Sequence, residues 1–185
     1  MGHATAETLQ AGLAAIRQSP REEGVLQLIV RRQGSGQREI LGSGRLDVTE
    51  GLVGDSWLTR GSSRTPDGLA QPDMQLNVMN SRVAALLARD LEGWALSGDQ
   101  LYMDLDLSVA NLAPGILLEI GGAIIAVTDQ QHASCKAFVA RYGVAAATFV
   151  HSPTGREMRL RGINARVVQS GGIKIGDTVR KLCRV

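Results

Sequence analysis

A chain of 185 residues suits one domain with a sizeable core, and a second independent domain would have to be very small. A hydrophobic fraction of 44% and a charged fraction of 21% are those of an ordinary globular protein, while a net charge of +2 is too small to argue for a polyanionic partner. Aromatics at 3% leave little with which to stack single-stranded nucleic acid, and no apolar run reaches the length of a bilayer span, so neither nucleic acid nor membrane is an expected partner.

Residues 4–18 predict a helix, with Leu9, Leu13 and Ile16 on one face, and Ser19-Pro20 ends it; residues 1–20 read as a helical extension of a single domain over 1–185. Residues 25–32 and 39–41 predict a hairpin around Gly34-Ser35-Gly36, and 45–48 a third strand before a turn at Gly54-Asp55. Residues 59–72 are rich in Arg, Gly, Ser, Thr, Pro and Asp, bury little apolar area, and read as a long surface loop. A strand is expected over 74–78, and Asn80-Ser81 caps a helix carrying Val83, Leu86, Leu87 and Leu91. Leu101, Met103, Leu105 and Leu107 alternate with Tyr102, Asp104 and Asp106, the period of a strand with one buried and one wet face. Further strands are expected at 116–120, 123–128, 158–161 and 163–169, with turns at Gly121-Gly122, at 152–155 and at 170–172, and a last segment over 174–182. Connections this short favour antiparallel neighbours, so the expected architecture is mainly β with flanking helices, an α+β fold built on an antiparallel β-barrel.

The chemistry concentrates at residues 127–138, VTDQQHASCKAF. An apolar strand ends at Val127, and residues from Ala133 suit a helix, so Cys135 is expected in a first helical turn, one turn beyond His132 and directly before Lys136. A helix N-terminus, a lysine and a nearby imidazole all favour thiolate over thiol, the state in which cysteine is a nucleophile or a soft metal ligand. Cys135 and Cys183 are read as reduced thiols, and with no secretory-type segment the expected location is cytoplasmic. A zinc site from His132, Cys135, His151 and Cys183 matches no common spacing. No flavin, haem or iron–sulfur motif is present in the sequence, so a redox role would draw electrons from elsewhere.

The order Gly54-Asp55, the segment 75–83, Leu118-Glu119-Ile120-Gly121, Val127-Thr128, His132-x-x-Cys135, Arg161-Gly162-Ile163-Asn164-Ala165 and Gly176-Asp177-Thr178-Val179 resembles the molybdenum cofactor sulfurase C-terminal (MOSC) domain family, in its short standalone form. The resemblance spans nearly everything after the first helix. It implies a mostly β barrel and a cysteine, here Cys135, that ligates molybdenum in a pterin dithiolene cofactor (molybdopterin) or carries a sulfur atom. It implies two functions of different class. One is an oxidoreductase acting on small N-hydroxylated or similar substrates, with Cys135 as molybdenum ligand, His132 beside it in catalysis and a redox partner. The other is a non-catalytic persulfide or cofactor carrier supplied by a sulfur-donor partner. An anionic cofactor suits the guanidinium forks of Arg60, Arg64 and Arg82 together with Lys136. Asp99 is the further expected cofactor contact, although the chain departs from the family pattern here: Ser97-Gly98-Asp99-Gln100 stands about where many members carry Gly-Glu-Asn, and Ser134 stands where proline commonly precedes the cysteine.

Overall fold

The computed structural model describes residues 3–34, 36–62, 65–132 and 136–182. Its centre is a closed barrel of seven strands: β1 (Glu23–Gly34), β5 (Leu76–Asn80), β6 (Leu101–Asp104), β7 (Leu117–Ile120), β8 (Ala123–Val127), β9 (Ile163–Gln169) and β11 (Thr178–Leu182). Around the ring the order is β11-β7-β8-β9-β5-β6-β1, and β1 pairs again with β11 to close it. Strand β2 (Gln37–Leu41) extends the sheet outside the ring as the hairpin partner of β1. A small second sheet joins β3 (Ser43–Asp47), β4 (Gly51–Leu52) and β10 (Gly171–Lys174).

Two apolar clusters hold this arrangement. Inside the barrel lie Leu26, Ile29, Leu76, Leu101, Met103, Leu118, Ile125 and Val179. Outside it, Leu28, Val30, Met79 and Tyr102 meet the helices through Leu9, Leu13, Val83, Phe138, Tyr142 and Phe149. Leu26 and Ile29 share the interior although alternation would place them on opposite faces, because the ladder with β6 slips between Leu26 and Leu28. A bulge of this kind turns one strand's register over without breaking the sheet. On β6 the alternation of Leu101 and Met103 is as expected, but Tyr102 on the other face is fully buried too, since the helices cover it. The expected wet face is thus confined to Asp104 and Asp106, where Arg82 and Arg21 meet the carboxylates.

The helices are α1 (Ala6–Arg17), α2 (Trp57–Arg60), α3 (Ser81–Leu87), α4 (Leu91–Ala95), α5 (Lys136–His151) and α6 (Pro153–Glu157), with a 3₁₀ turn at Pro72–Met74. The structure corrects several expectations. The barrel is mixed, because β5 and β6 run parallel; the stretch 81–100 is long enough for a helical crossover, unlike the tight turns elsewhere. The helix expected to run from Ser81 through Leu91 is two, the second capped anew by the Asp90 side chain accepting from the Gly93 N–H. The turn at 152–155 is the start of α6, capped by Ser152. Residues 158–161 form no strand, and Arg159 there has φ +49°. Gly171 and Gly172 do not turn the chain but open β10, where a Cβ on Gly171 would lie 2.1 Å from the Gly122 carbonyl oxygen. Only glycine permits that approach.

Asn80 joins three parts at one point. Its Oδ1 accepts from the Arg82 N–H at the start of α3, while its Nδ2 donates to Ser19 Oγ at 2.9 Å and to the Leu105 carbonyl at 2.7 Å. The residue is 4% exposed, so Asn80→Ala strands buried partners as well as removing a cap. We expect a loss of about 2–4 kcal/mol, read as a lower urea midpoint with unchanged slope; a loss under about 0.5 kcal/mol would reduce Asn80 to an ordinary surface cap.

Candidate functional site

The site grows from the ends of three barrel strands. His132 lies beyond the end of β8, Arg161 precedes β9, and the segment Ser97-Gly98-Asp99-Gln100 precedes β6. Asp99 is fully buried, and Arg161 Nη1 donates to both its oxygens, at 2.9 and 3.1 Å. Arg161 Nη2 donates to the Ser97 carbonyl at 3.1 Å, and the guanidinium lies 5.0 Å from the centroid of the Phe138 ring on α5. His132 Nδ1 stands 3.3 Å from Asp99 Oδ1 and 3.4 Å from Arg161 Nη1. Ser97 Oγ donates to Asp99 Oδ2 and lies 2.7 Å from the Tyr102 hydroxyl, which donates to the Trp94 carbonyl. Gly162, at φ +98°, brings this corner against β5, where a Cβ would sit 2.2 Å from the Val78 carbonyl oxygen. Arg161 therefore touches the chain on both sides of residues 133–135, at His132 before them and at Phe138 after them.

Burial pushes the Asp99 carboxyl up, but Arg161, His132 and the Ser97 hydroxyl outweigh it and hold the group below the ordinary carboxylate range. Tyr102 is driven the other way, well above the usual phenol value, by burial and by the Asp99 charge. The hydroxyls of this network thus stay neutral while the carboxylate stays ionised.

A second ion pair lies on the other flank of the same segment. Arg32 grips Asp55 through Nε and Nη2, at 2.9 and 2.8 Å, and donates from Nη1 to Asn77 Oδ1 and to the Gly98 carbonyl. Asn77 passes the chain of bonds to Asn164, which donates to the Gln130 carbonyl two residues before His132. Around Arg32 further cations gather. Burial, then Arg141 and Arg32, lower the Arg38 pKa, and burial with Arg32 does the same to Arg60. Arg38 Nε is buried and has no hydrogen-bond partner among the described residues. Crowded guanidiniums with an unanswered buried donor are what an anionic ligand would relieve.

Of the expected site residues, His132 and Asp99 come together, and Arg60 stands by the Arg32 cluster. Lys136 is exposed at the start of α5. Arg82 lies elsewhere: its Nε and Nη2 bond Asp104 at 2.7 and 3.0 Å and its Nη1 the Ala15 carbonyl, tying α3 to β6 and α1. Cys135, Arg64 and Cys183 lie outside the described residues. The sequence alone assigns no role to Arg161, Arg32, Arg38 or Arg141. Arg161 stands inside one of the stretches that carry the family resemblance, and the remaining three sit in strands and a helix where a lone arginine carries no signal.

No family model matches the chain, and no curated protein matches it. Among solved structures, it is similar to the YuaD protein of Bacillus subtilis, with a TM-score of 0.62 at 15% identity over 85% of this chain and 94% of that one. It is similar also to YiiM of Escherichia coli, at 0.55 and 19% over 87% and 71%, and to YiiM of Geobacillus stearothermophilus, at 0.52 and 13% over 89% and 74%. At these identities the likeness is one of fold.

Asp99→Asn leaves Arg161 buried without its counter-charge, and we expect a loss of about 3–5 kcal/mol at pH 7. Because the folded carboxyl lies below its unfolded value, its stabilisation is present above about pH 4 and is lost as pH falls through the folded value. Urea unfolding of both proteins should therefore give a gap that narrows as pH drops below about 4. A gap constant with pH would mean the carboxylate charge is not what matters.

Proposed function

We propose that this chain is a MOSC-type protein that binds a molybdenum cofactor, with the Cys135 thiolate as the metal's protein ligand and small N-hydroxylated or similar compounds as substrates. The observation that carries the reading is the convergence, in one corner of the barrel, of separate stretches of the resemblance, through Asp55, Asn77, His132, Arg161 and Asn164, on the buried Asp99 and Arg32. The barrel fold shared with YuaD and YiiM supports it.

The residues present fit such a cofactor. A phosphate-bearing pterin asks for clustered guanidiniums and finds Arg38, Arg60 and Arg141, with the buried Arg38 Nε still lacking an acceptor among the described residues. Arg161 contacts His132 and the Phe138 ring, and Asp99 contacts His132, so the described residues on either side of 133–135 share one ion pair. His132, backed by an ionised carboxylate, is placed to hold a proton near that segment. When bound, the cofactor supplies oxygen-atom transfer coupled to a change of oxidation state at the metal, with electrons from a partner protein.

Protein purified from a molybdenum-replete host should carry on the order of one molybdenum per chain and yield an oxidised pterin on extraction. Cys135→Ser exchanges a soft sulfur for a hard oxygen, so it should fold and retain pterin while molybdenum-linked reduction falls by orders of magnitude. Arg38→Gln should lose pterin with stability changed by less than about 0.5 kcal/mol. A persulfide mass shift on Cys135 without molybdenum would favour the carrier function instead, and a Cys135→Ser protein equal to its parent in metal and activity would end both readings.

A further inference from the structure

A cavity of about 350 Å³ opens beside His132 and shares no lining residue with the Arg38, Arg60 and Arg141 cluster. Its polar wall carries Arg156, Arg159, Arg161, His132 and His151. Val109, Val150 and Ile163 supply an aliphatic wall. Arg161 is 5% exposed, and its Nε has no hydrogen-bond partner among the described residues, although its other nitrogens are bonded. The bond from Arg159 Nη1 to the Leu112 carbonyl holds that side chain at the wall. Burial, then Arg161 and Arg156, lower the His151 pKa, so the cavity's field is positive where that imidazole stands. The lining carboxylate, Asp129, is exposed and bonded to the Gln130 amide.

We infer that this cavity is a binding site for a small organic oxyanion, a carboxylate or phosphate ester with a short apolar body, held by Arg156, Arg159 and Arg161 with its body against Val109, Val150 and Ile163. The volume and the mixed lining are those of a small-molecule site, and guanidiniums select planar or tetrahedral oxyanions by paired donors. As the site of the substrate this rests on the function proposed above, since the cavity begins at the residues that lead to Cys135. Anion binding itself does not depend on it.

The chain's three histidines make the test direct. His132 and His151 line this cavity, whereas His3 lines a separate one near α1 and serves as internal control. With histidine-labelled protein, inorganic phosphate and acetate are titrated at ionic strength matched with sodium chloride. The His132 and His151 signals should shift to saturation with at least one of the two, the tighter anion naming the group, while His3 stays in place. Arg156→Gln and Arg159→Gln should each weaken binding about tenfold or more. Because Arg159 also holds Leu112, the exposed Arg156 carries the test if Arg159→Gln perturbs the fold. Failure of both anions to saturate, equal shifts with chloride alone, or undiminished binding in Arg156→Gln would overturn the site. Molybdenum content should be unchanged in Arg156→Gln; its loss would give the cavity to the cofactor and overturn the substrate assignment. Absence of molybdenum from the parent protein would count against the proposed function while leaving the anion titration to be read alone.

Discussion

The buried pair of Asp99 and Arg161 is the interaction on which this corner of the molecule depends. Two charges removed from water cost several kcal/mol each, and attraction between them offsets this only where further hydrogen bonds satisfy the remaining donors and lone pairs. Here the carboxylate takes Arg161 and the Ser97 hydroxyl, and the guanidinium takes the Ser97 carbonyl and the Phe138 ring face. The consequence is positional. A segment before one strand, a loop after a second, the start of a third and a helix beyond them are held in register by one side chain.

The pair of Arg32 and Asp55 repeats the device on the other flank. Gly98 lies between them, its carbonyl taken by Arg32 while its neighbours Ser97 and Asp99 are taken by Arg161. Gln100 completes the fastening, accepting from the Asn77 N–H and donating to the Gln75 carbonyl. Residues 97–100 belong to no helix or strand, yet each is hydrogen-bonded to Arg161, to Arg32 or to the backbone of residues 75–77. Irregular backbone held this way keeps its shape when a ligand arrives, which lowers the ordering cost of binding.

Much of this was legible in the chain. The first helix, the β1–β2 hairpin, the Asn80 cap and the strands around β7 and β8 are set by periodicity and turn residues, signals that act locally. What escaped was decided at a distance. Tyr102 sits at a position that alternation marks as wet, and the packing of helices over that face, with Trp94 of α4 against its ring, buries it. Arg82 and Arg161 look alike as sequence, but one meets Asp104 at the rim and the other Asp99 in the interior. No local pattern distinguishes them, because the difference lies in which carboxylate the fold delivers. His132 stands out by its place before Cys135, but nothing in the sequence joins it to Asp99; Arg156 lies just past a predicted turn and Arg159 inside a predicted strand.

The closure of the barrel between β1 and β11 carries a consequence for how the chain acquires its structure. Glu23 meets Arg180 across that seam although 157 positions separate them, and Lys181 reaches back to Glu22. Contacts so remote in sequence are the most expensive in loop entropy and form late, so β1 and β11 each present an open edge during folding. Charged side chains on such edges discourage pairing with another molecule while they wait. The two glutamates and their basic partners thus mark the seam with charge, which disfavours association of half-folded chains along an unpaired edge.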